Sequence, residues 1–124
     1  MKIRVYYEDT DAGGIVYHTN YIKYCERARS ELFFSQGIMP LEGGASGFIV
    51  SGLKADFHAS AKLGDMLEVK SHILTRKRSS LLLMQEIYKE DQKIFTMEIK
   101  LAYIAEGKIS RMPQHFLELF ENML

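Results

Sequence analysis

The chain has 124 residues, 47% of them hydrophobic and 26% charged, a composition that suits one globular domain. Sixteen Lys and Arg balance sixteen Asp and Glu, so the chain lacks the basic excess of a nucleic-acid binder, and its near-neutrality favours self-association. A single cysteine, Cys25, excludes an internal disulfide, and no apolar run approaches the ~20 residues of a membrane-spanning helix.

Residues 2–8 alternate, with Ile3, Val5 and Tyr7 set against Lys2, Arg4 and Tyr6, and this predicts a strand. The opening "MKIRVYYEDTD" has no apolar core of the kind found in a secretion signal, so a cytoplasmic location is expected. Next comes "EDTDAGGIVYHTNY", residues 8–21, which crowds carboxylates, paired glycines, a histidine and an asparagine into one stretch. Residues 20–36 follow with helical periodicity. Ile22, Cys25, Ala28, Leu32 and Phe33 share a stripe, with Tyr21 and Tyr24 at its edge. Asn20 is a suitable N-cap and Gly37 a suitable C-terminal stop. Cys25 falls on the stripe, so packing is its expected role.

"PLEGGASG", residues 40–47, reads as a loop, and from there the period becomes two. Strands are predicted at 48–57, 66–77, 81–89 and 94–104, with turns at 78–80 and 90–92. In the second of these strands Leu67, Val69 and Ile73 would face opposite to Glu68, Lys70, His72 and Arg76. In the last, Phe95, Met97, Ile99, Leu101 and Tyr103 oppose Thr96, Glu98 and Lys100. "EGK" at 106–108 can close one further hairpin. A terminal helix begins with Pro113 as its first residue, and Phe116, Leu117, Phe120, Met123 and Leu124 form its apolar face.

This order predicts an α+β fold in which a curved antiparallel sheet of about five strands wraps one long helix, since that helix cannot bury its stripe alone. Open sheet edges invite pairing with a second copy.

The 8–21 stretch has a specific chemistry. A helix N-terminus offers free N–H groups and a positive dipole end, which stabilise an oxyanion. Gly13 and Gly14 allow a sharp turn, and a nearby carboxylate can serve as base or nucleophile. The bland alternative for Asp11 is a turn carboxylate that caps backbone N–H groups. For His18 it is an ordinary histidine at a helix start. Asp9, Asp11 and His18 as metal ligands is a third reading, but no second histidine–carboxylate cluster accompanies them. No metal or other cofactor is required. His58, His72 and His115 are scattered and expected at the surface.

The run from Tyr7 to Tyr21, Y-x-D-T-D-x-x-G-I-V-Y-H-x-N-Y, closely resembles the signature of the 4-hydroxybenzoyl-CoA thioesterase family, especially its YbgC-type acyl-CoA thioesterases. The resemblance implies the hotdog fold. It also implies homodimers joined through sheet edges with active sites at the subunit interface, often assembled into tetramers. Carried over, Asp11 corresponds to the catalytic carboxylate. His18 stands where a backbone N–H polarises the thioester carbonyl, with its imidazole available to the thioester or leaving group. Tyr7, Gly14, Tyr17 and Asn20 support the loop, and Asp9 holds the turn rather than performing chemistry. "TRKRSS", residues 75–80, is similar to a basic stretch that meets the phosphates of CoA, so Arg76, Lys77 and Arg78 are the expected substrate-binding cations. Without the resemblance, those three would be a solvated strand end.

The expected reaction is hydrolysis of an acyl-CoA thioester. One alternative is a dehydratase-type hotdog protein using Glu26 or Glu31. Another is a non-catalytic partner of the Tol–Pal envelope system, and an acyl carrier protein is a further possible associate.

Overall fold

The computed structural model describes residues 1–42 and 46–122. In chain order these form β1 (Lys2–Arg4), a 3-10 turn (Tyr7–Asp9), α1 (His18–Phe34), β2 (Leu41–Glu42), β3 (Ser46–Phe57), β4 (Met66–Arg76), β5 (Ser80–Lys89), β6 (Gln92–Ala105), β7 (Lys108–Ile109) and α2 (Gln114–Glu121). The sheet order is β1-β4-β5-β6-β3-β2, with β7 added beside β6, and each pairing is antiparallel. Five of the strands make a curled half-barrel around α1, the hotdog arrangement expected from the sequence. Among the described residues no helix is long and apolar enough to cross a membrane.

The inward row of β6 is as read: Phe95, Met97, Ile99, Leu101 and Tyr103 are all buried. The 106–108 hairpin also forms, closing β6 onto β7. The first predicted strand is shorter than expected. It stops at Arg4, because residues 7–9 turn into the 3-10 segment that opens the polar loop. Residues 43–45 of the expected loop, and Met123 and Leu124 of the expected apolar face, lie outside the described residues.

The long helix starts at His18, two residues before the expected cap. Tyr17 holds the N-cap position, while Asn20 lies within the first turn and sends its side chain elsewhere. At the other end Gly37, with φ of 70°, accomplishes the stop. Gly37 N–H reaches Phe34 O at 2.9 Å and Ile38 N–H reaches Phe33 O at 3.0 Å, the paired bonds of a Schellman turn. Tyr21 and Tyr24 are not at the edge of the buried stripe. Both are buried, whereas Ile22 and Leu32 are only half-buried. The curled sheet flanks the helix on more than one side and so widens the face it buries.

Two aromatic groups fill the ends of the core. Tyr21, Phe57 and Phe95 pack near the start of α1, and Phe33, Phe48, Tyr103, Phe116 and Phe120 pack near its end. Such pairs add roughly 0.5–1.5 kcal/mol each beyond the area they bury. They dock α2, whose buried residues are Phe116, Leu119 and Phe120; Leu117 is half-buried. Pro113 is its N-cap, one position before its expected place, and Phe116 N–H bonds to its carbonyl at 3.1 Å.

Candidate active site

Residues 9–17 fold back as a small hairpin that leads directly into α1. Tyr17 N–H donates to Asp9 O at 2.9 Å, Thr10 bridges Val16, and Asp11 N–H donates to Ile15 O at 2.9 Å. The tip is a turn closed by Gly14 N–H to Asp11 O at 3.0 Å. Gly14 has φ of 83°, a left-handed conformation that other residues adopt only with strain. Val16 N–H to Ala61 O, at 2.9 Å, and the Ile15–Lys62 bridge moor this hairpin just before β4. Tyr21 ties α1 to the same segment, its hydroxyl accepting Ala61 N–H at 3.0 Å.

The two aspartates of the hairpin differ sharply in environment. Asp9 is buried, at 6% exposure, and its Oδ2 accepts Tyr6 N–H at 2.9 Å. Its carbonyl also accepts from Asn20 Nδ2 at 2.8 Å, which explains why Asn20 does not cap the helix. The buried Tyr24 hydroxyl interacts with the Asp9 carboxylate without meeting hydrogen-bond geometry. Burial first, then that negative charge, push the Tyr24 phenol far above its ordinary pKa.

Asp11, in contrast, is exposed. Its Oδ1 accepts Gly13 N–H at 2.8 Å, the turn-capping bond that the bland reading anticipates. Its Oδ2 bonds to nothing among the described residues. One carboxylate oxygen is thus fixed by the turn and the other is available to a ligand. Asp11 is also close enough to Tyr21 to help raise that phenol's pKa, a shift caused chiefly by burial.

At the head of α1, His18 and Thr19 N–H find no acceptor among the described residues. The His18 ring is exposed and lies against Tyr17, with centroids 4.7 Å apart, and edge-on to Phe57 at 6.1 Å. Tyr7 is the outlier of the supporting set. Its side chain is 82% exposed, and its contribution is a carbonyl that accepts Thr10 N–H and Thr10 Oγ1–H. Asp11, Gly14, Tyr17, His18 and Asn20 therefore belong to one hairpin–helix unit.

Arg76, Lys77 and Arg78 do not join that unit within one chain. The hairpin is moored at the Met66 end of β4, whereas the cations follow its other end. At about 3.3 Å per residue, this strand separates the two regions by roughly 30 Å. Arg76 is engaged by α2, with Nη1 3.6 Å from Glu121 Oε1. Glu26 and Glu31 are exposed on α1, and Glu26 accepts Ser30 Oγ–H at 2.9 Å. Of the other histidines, His58 and His72 are exposed, and His115 is half-buried against Phe116. Among the described residues there is no group of three His, Cys, Asp or Glu able to hold a metal ion.

Two buried polar residues escaped the sequence reading. Arg29 and Gln85 meet beneath α1, and Gln85 also binds Cys25 O and Ser71 Oγ. A signal was available, because Gln85 interrupts the inward row Leu81, Leu83, Ile87 with an amide.

A curled antiparallel sheet around one helix, with a carboxylate-bearing hairpin feeding the free N–H groups of that helix, defines a hotdog protein equipped for carbonyl chemistry. Residues 13–96 match the family model described as "Thioesterase superfamily". The chain is 42% identical to "Acyl-CoA thioesterase YbgC" of Helicobacter pylori, covering 96% of this chain and 97% of that one. It is 38% identical to the Haemophilus influenzae protein of the same name, covering 88% and 82%. Among solved structures, a probable thioesterase from Bartonella henselae superposes with a TM-score of 0.85 at 30% identity, covering 91% and 97%. The chain belongs to the thioesterase superfamily.

Proposed function

We propose that this chain hydrolyses acyl-CoA thioesters to the free acid and CoA, with Asp11 as the catalytic carboxylate and the head of α1 as the electrophilic group. The observation that carries the reading is the coexistence, in one hairpin–helix unit, of an Asp11 oxygen and two N–H donors, at His18 and Thr19, that have no partner among the described residues. The YbgC relatives supply the substrate class.

The thioester carbonyl oxygen accepts a hydrogen bond from His18 N–H, where the helix dipole favours the negative charge that develops during attack. Asp11 then takes one of two roles. As a general base it removes a proton from water, whose oxygen adds to the carbonyl carbon. The C–S bond breaks and the CoA thiolate takes up the proton. As a nucleophile it forms an anhydride with loss of CoA, and water then cleaves the anhydride. The His18 ring lies beside the carbonyl position and contacts the thioester or the leaving sulfur. Tyr17, Gly14 and Asn20 keep the hairpin and helix start in register, and Tyr7 contributes through its backbone.

The separation of Asp11 from the cationic turn is resolved by a dimer. β3 is paired along its length with β6, but on its other side β2 covers only Ser46 and Gly47. Ile49, Val50, Leu53 and Phe57 are about half exposed there. Antiparallel pairing of two such edges turns the second sheet end for end. The second copy's Arg76, Lys77 and Arg78 then lie at the sheet end that holds Asp11, about three strand spacings or roughly 15 Å away. That turn receives the CoA phosphates, and the pantetheine arm runs between the copies. The assembly we propose is this dimer with shared sites, doubled into a tetramer.

Asp11→Asn tests the assignment. The amide oxygen keeps the Gly13 contact, so the variant folds, and kcat falls by at least about 100-fold. Near-normal turnover by a folded Asp11→Asn protein would reject the assignment. Incorporation of oxygen-18 from water into Asp11 in a single turnover selects the anhydride route with water attacking the Asp11 carbonyl.

A further inference from the structure

Arg29 is the charged side chain that α1 turns into the fold. It is 9% exposed, and its Nη1 donates to Gln85 Oε1 at 2.8 Å. Among the described residues no second hydrogen bond and no ion pair reaches it. Its other N–H groups are not sealed in, since the enclosed side-chain atom left without a partner there is the Tyr24 hydroxyl. They open on a cleft of about 270 Å³ between α1 and β3. Phe48, Val50 and Leu101 supply its apolar wall, and Glu26 and Ser30 border it beside Arg29. Glu26 is exposed, and its Oε1 accepts from Ser30 Oγ rather than from Arg29.

A guanidinium buried against a single neutral acceptor bears a desolvation cost that an anion would offset. Its planar fork of donors matches a carboxylate, two N–H groups to two oxygens. A clasp between α1 and β5 alone would be served by a neutral donor, without a buried charge. The apolar wall lowers the local dielectric, so the deep Arg29 charge acts on a ligand more strongly than the solvated charge of Glu26.

The cleft lies too far from the head of its own helix to serve it. About three turns of helix, roughly 16 Å, separate Arg29 from His18, beyond a short acyl chain whose carbonyl rests on the His18 N–H. A second copy removes the gap. Phe57, at one end of β3, lies edge-on to His18, whereas Phe48 and Val50 of the cleft lie toward its other end. When two β3 edges pair antiparallel, the Phe57 end of one copy stands beside the Phe48 end of the other. The head of one α1 then faces the second copy's cleft.

We infer that the acyl group hydrolysed at this site is a short chain ending in a carboxylate, which the second copy's Arg29 holds while the thioester lies on the head of α1. This assignment rests on the acyl-CoA reading and its dimer, and it names the acyl class. Gln85 orients the guanidinium, and the apolar wall packs the methylenes.

The test pairs CoA esters of equal carbon count: adipyl with hexanoyl, and glutaryl with valeryl. In the better-fitting pair the wild type should hydrolyse the dicarboxylic member with a kcat/KM at least about tenfold higher. No preference for the dicarboxylic member in either pair overturns the inference. Arg29→Met leaves the Gln85 amide without its donor, so Arg29→Met combined with Gln85→Leu serves as a second variant that removes both polar partners. In either variant the preference should vanish through a higher KM for the dicarboxylic ester, with hexanoyl-CoA nearly unaffected. Equal losses on both members of a pair would make Arg29 structural only. Glu26→Gln changes an exposed side chain and should sharpen the preference about two- to threefold at low salt, less at high salt. An unchanged preference there would place the bound carboxylate outside this cleft. A dimer mixed from an Asp11→Asn chain and an Arg29→Met chain, isolated through two tags, tests the sharing. Its complete site combines Asp11 of one chain with Arg29 of the other, so the preference should survive, and its loss would overturn the shared arrangement. Release of CoA from hexanoyl-CoA by the wild type separates these failures from failure of the thioesterase reading, which would abolish turnover of every ester.

Discussion

Gln85 and Arg29 meet inside the fold, with Arg29 Nη1 donating to Gln85 Oε1 at 2.8 Å. Gln85 is fully buried, and its amide nitrogen donates to Cys25 O at 2.9 Å and Ser71 Oγ at 3.0 Å. One side chain on β5 thereby clasps α1 at two points and β4 at a third. Burial lowers the pKa of Arg29, so the guanidinium needs this acceptor. Gln85→Leu should destabilise the protein by about 1.5–3 kcal/mol, the range for a lost hydrogen bond to a charged group. Urea midpoints measure it. Combined with Arg29→Met the cost should be less than additive, because the variants remove the same bond. Strict additivity would mean that the pair is not coupled.

Gly14 carries the turn beside Asp11 in a left-handed conformation, φ 83°, with open space where a Cβ would stand. Gly14→Ala should therefore cost about 1 kcal/mol through backbone strain alone. Gly52 also has open space around it but no such φ. Gly52→Ala is the control, and equal losses in the two variants would contradict the conformational explanation.

Acid should weaken the fold through Asp65. Partial burial raises its pKa, but the Lys62 N–H bond at 2.9 Å and the Lys89 ammonium at 3.0 Å outweigh it and hold the carboxyl below its ordinary value. A folded pKa below the unfolded one means a stabilisation that is complete above the unfolded value and lost as pH falls through the folded one. Melting temperature should accordingly fall as pH drops below about 4. Asp65→Asn should melt lower near neutrality and show a flatter acid limb. An unaltered limb would show that other carboxylates carry it.

Cys25 is fully buried in α1, and burial pushes its thiol up to about 12 against the opposing effect of Arg29. The thiol should be inert to an aromatic disulfide reagent at pH 8 in the native protein and should react once after unfolding. This matters for any assay that follows released CoA thiol with such a reagent. Rapid labelling of the native protein would contradict the burial.

The long helix, the four long strands and the inward row of β6 were readable in the chain, because alternation and turn chemistry act over a few residues; the short β2 at Leu41–Glu42 and the start of β3 at Ser46 were not, since residues 40–47 read as a loop and become strand through their pairing with each other. The head of the long helix was misplaced for a comparably definite reason. Asn20 is a good cap by type, but its amide is drawn to the carbonyl of Asp9, eleven residues earlier, and Tyr17 takes the cap position. Within the candidate site, the motif suggested different roles for Asp9 and Asp11, but not their different burial, since that depends on how the hairpin lies on α1. Tyr21 and Tyr24 moved from edge to core because a curled sheet covers more of a helix than a flat one.

By itself, then, the sequence determined the α+β succession, the one long helix and the concentration of polar residues at its start, since these follow from local backbone preferences and the spacing of apolar side chains. The tertiary structure alone decided that Gln85 would meet Arg29 across 56 residues, that Arg76 would turn toward α2, and that, among the described residues, β3 beyond Gly47 would be paired on one side only. Those outcomes depend on which strands become neighbours and which face each presents. Hydrogen bonds and charges act over only a few ångströms, so their partners are selected once the chain has closed.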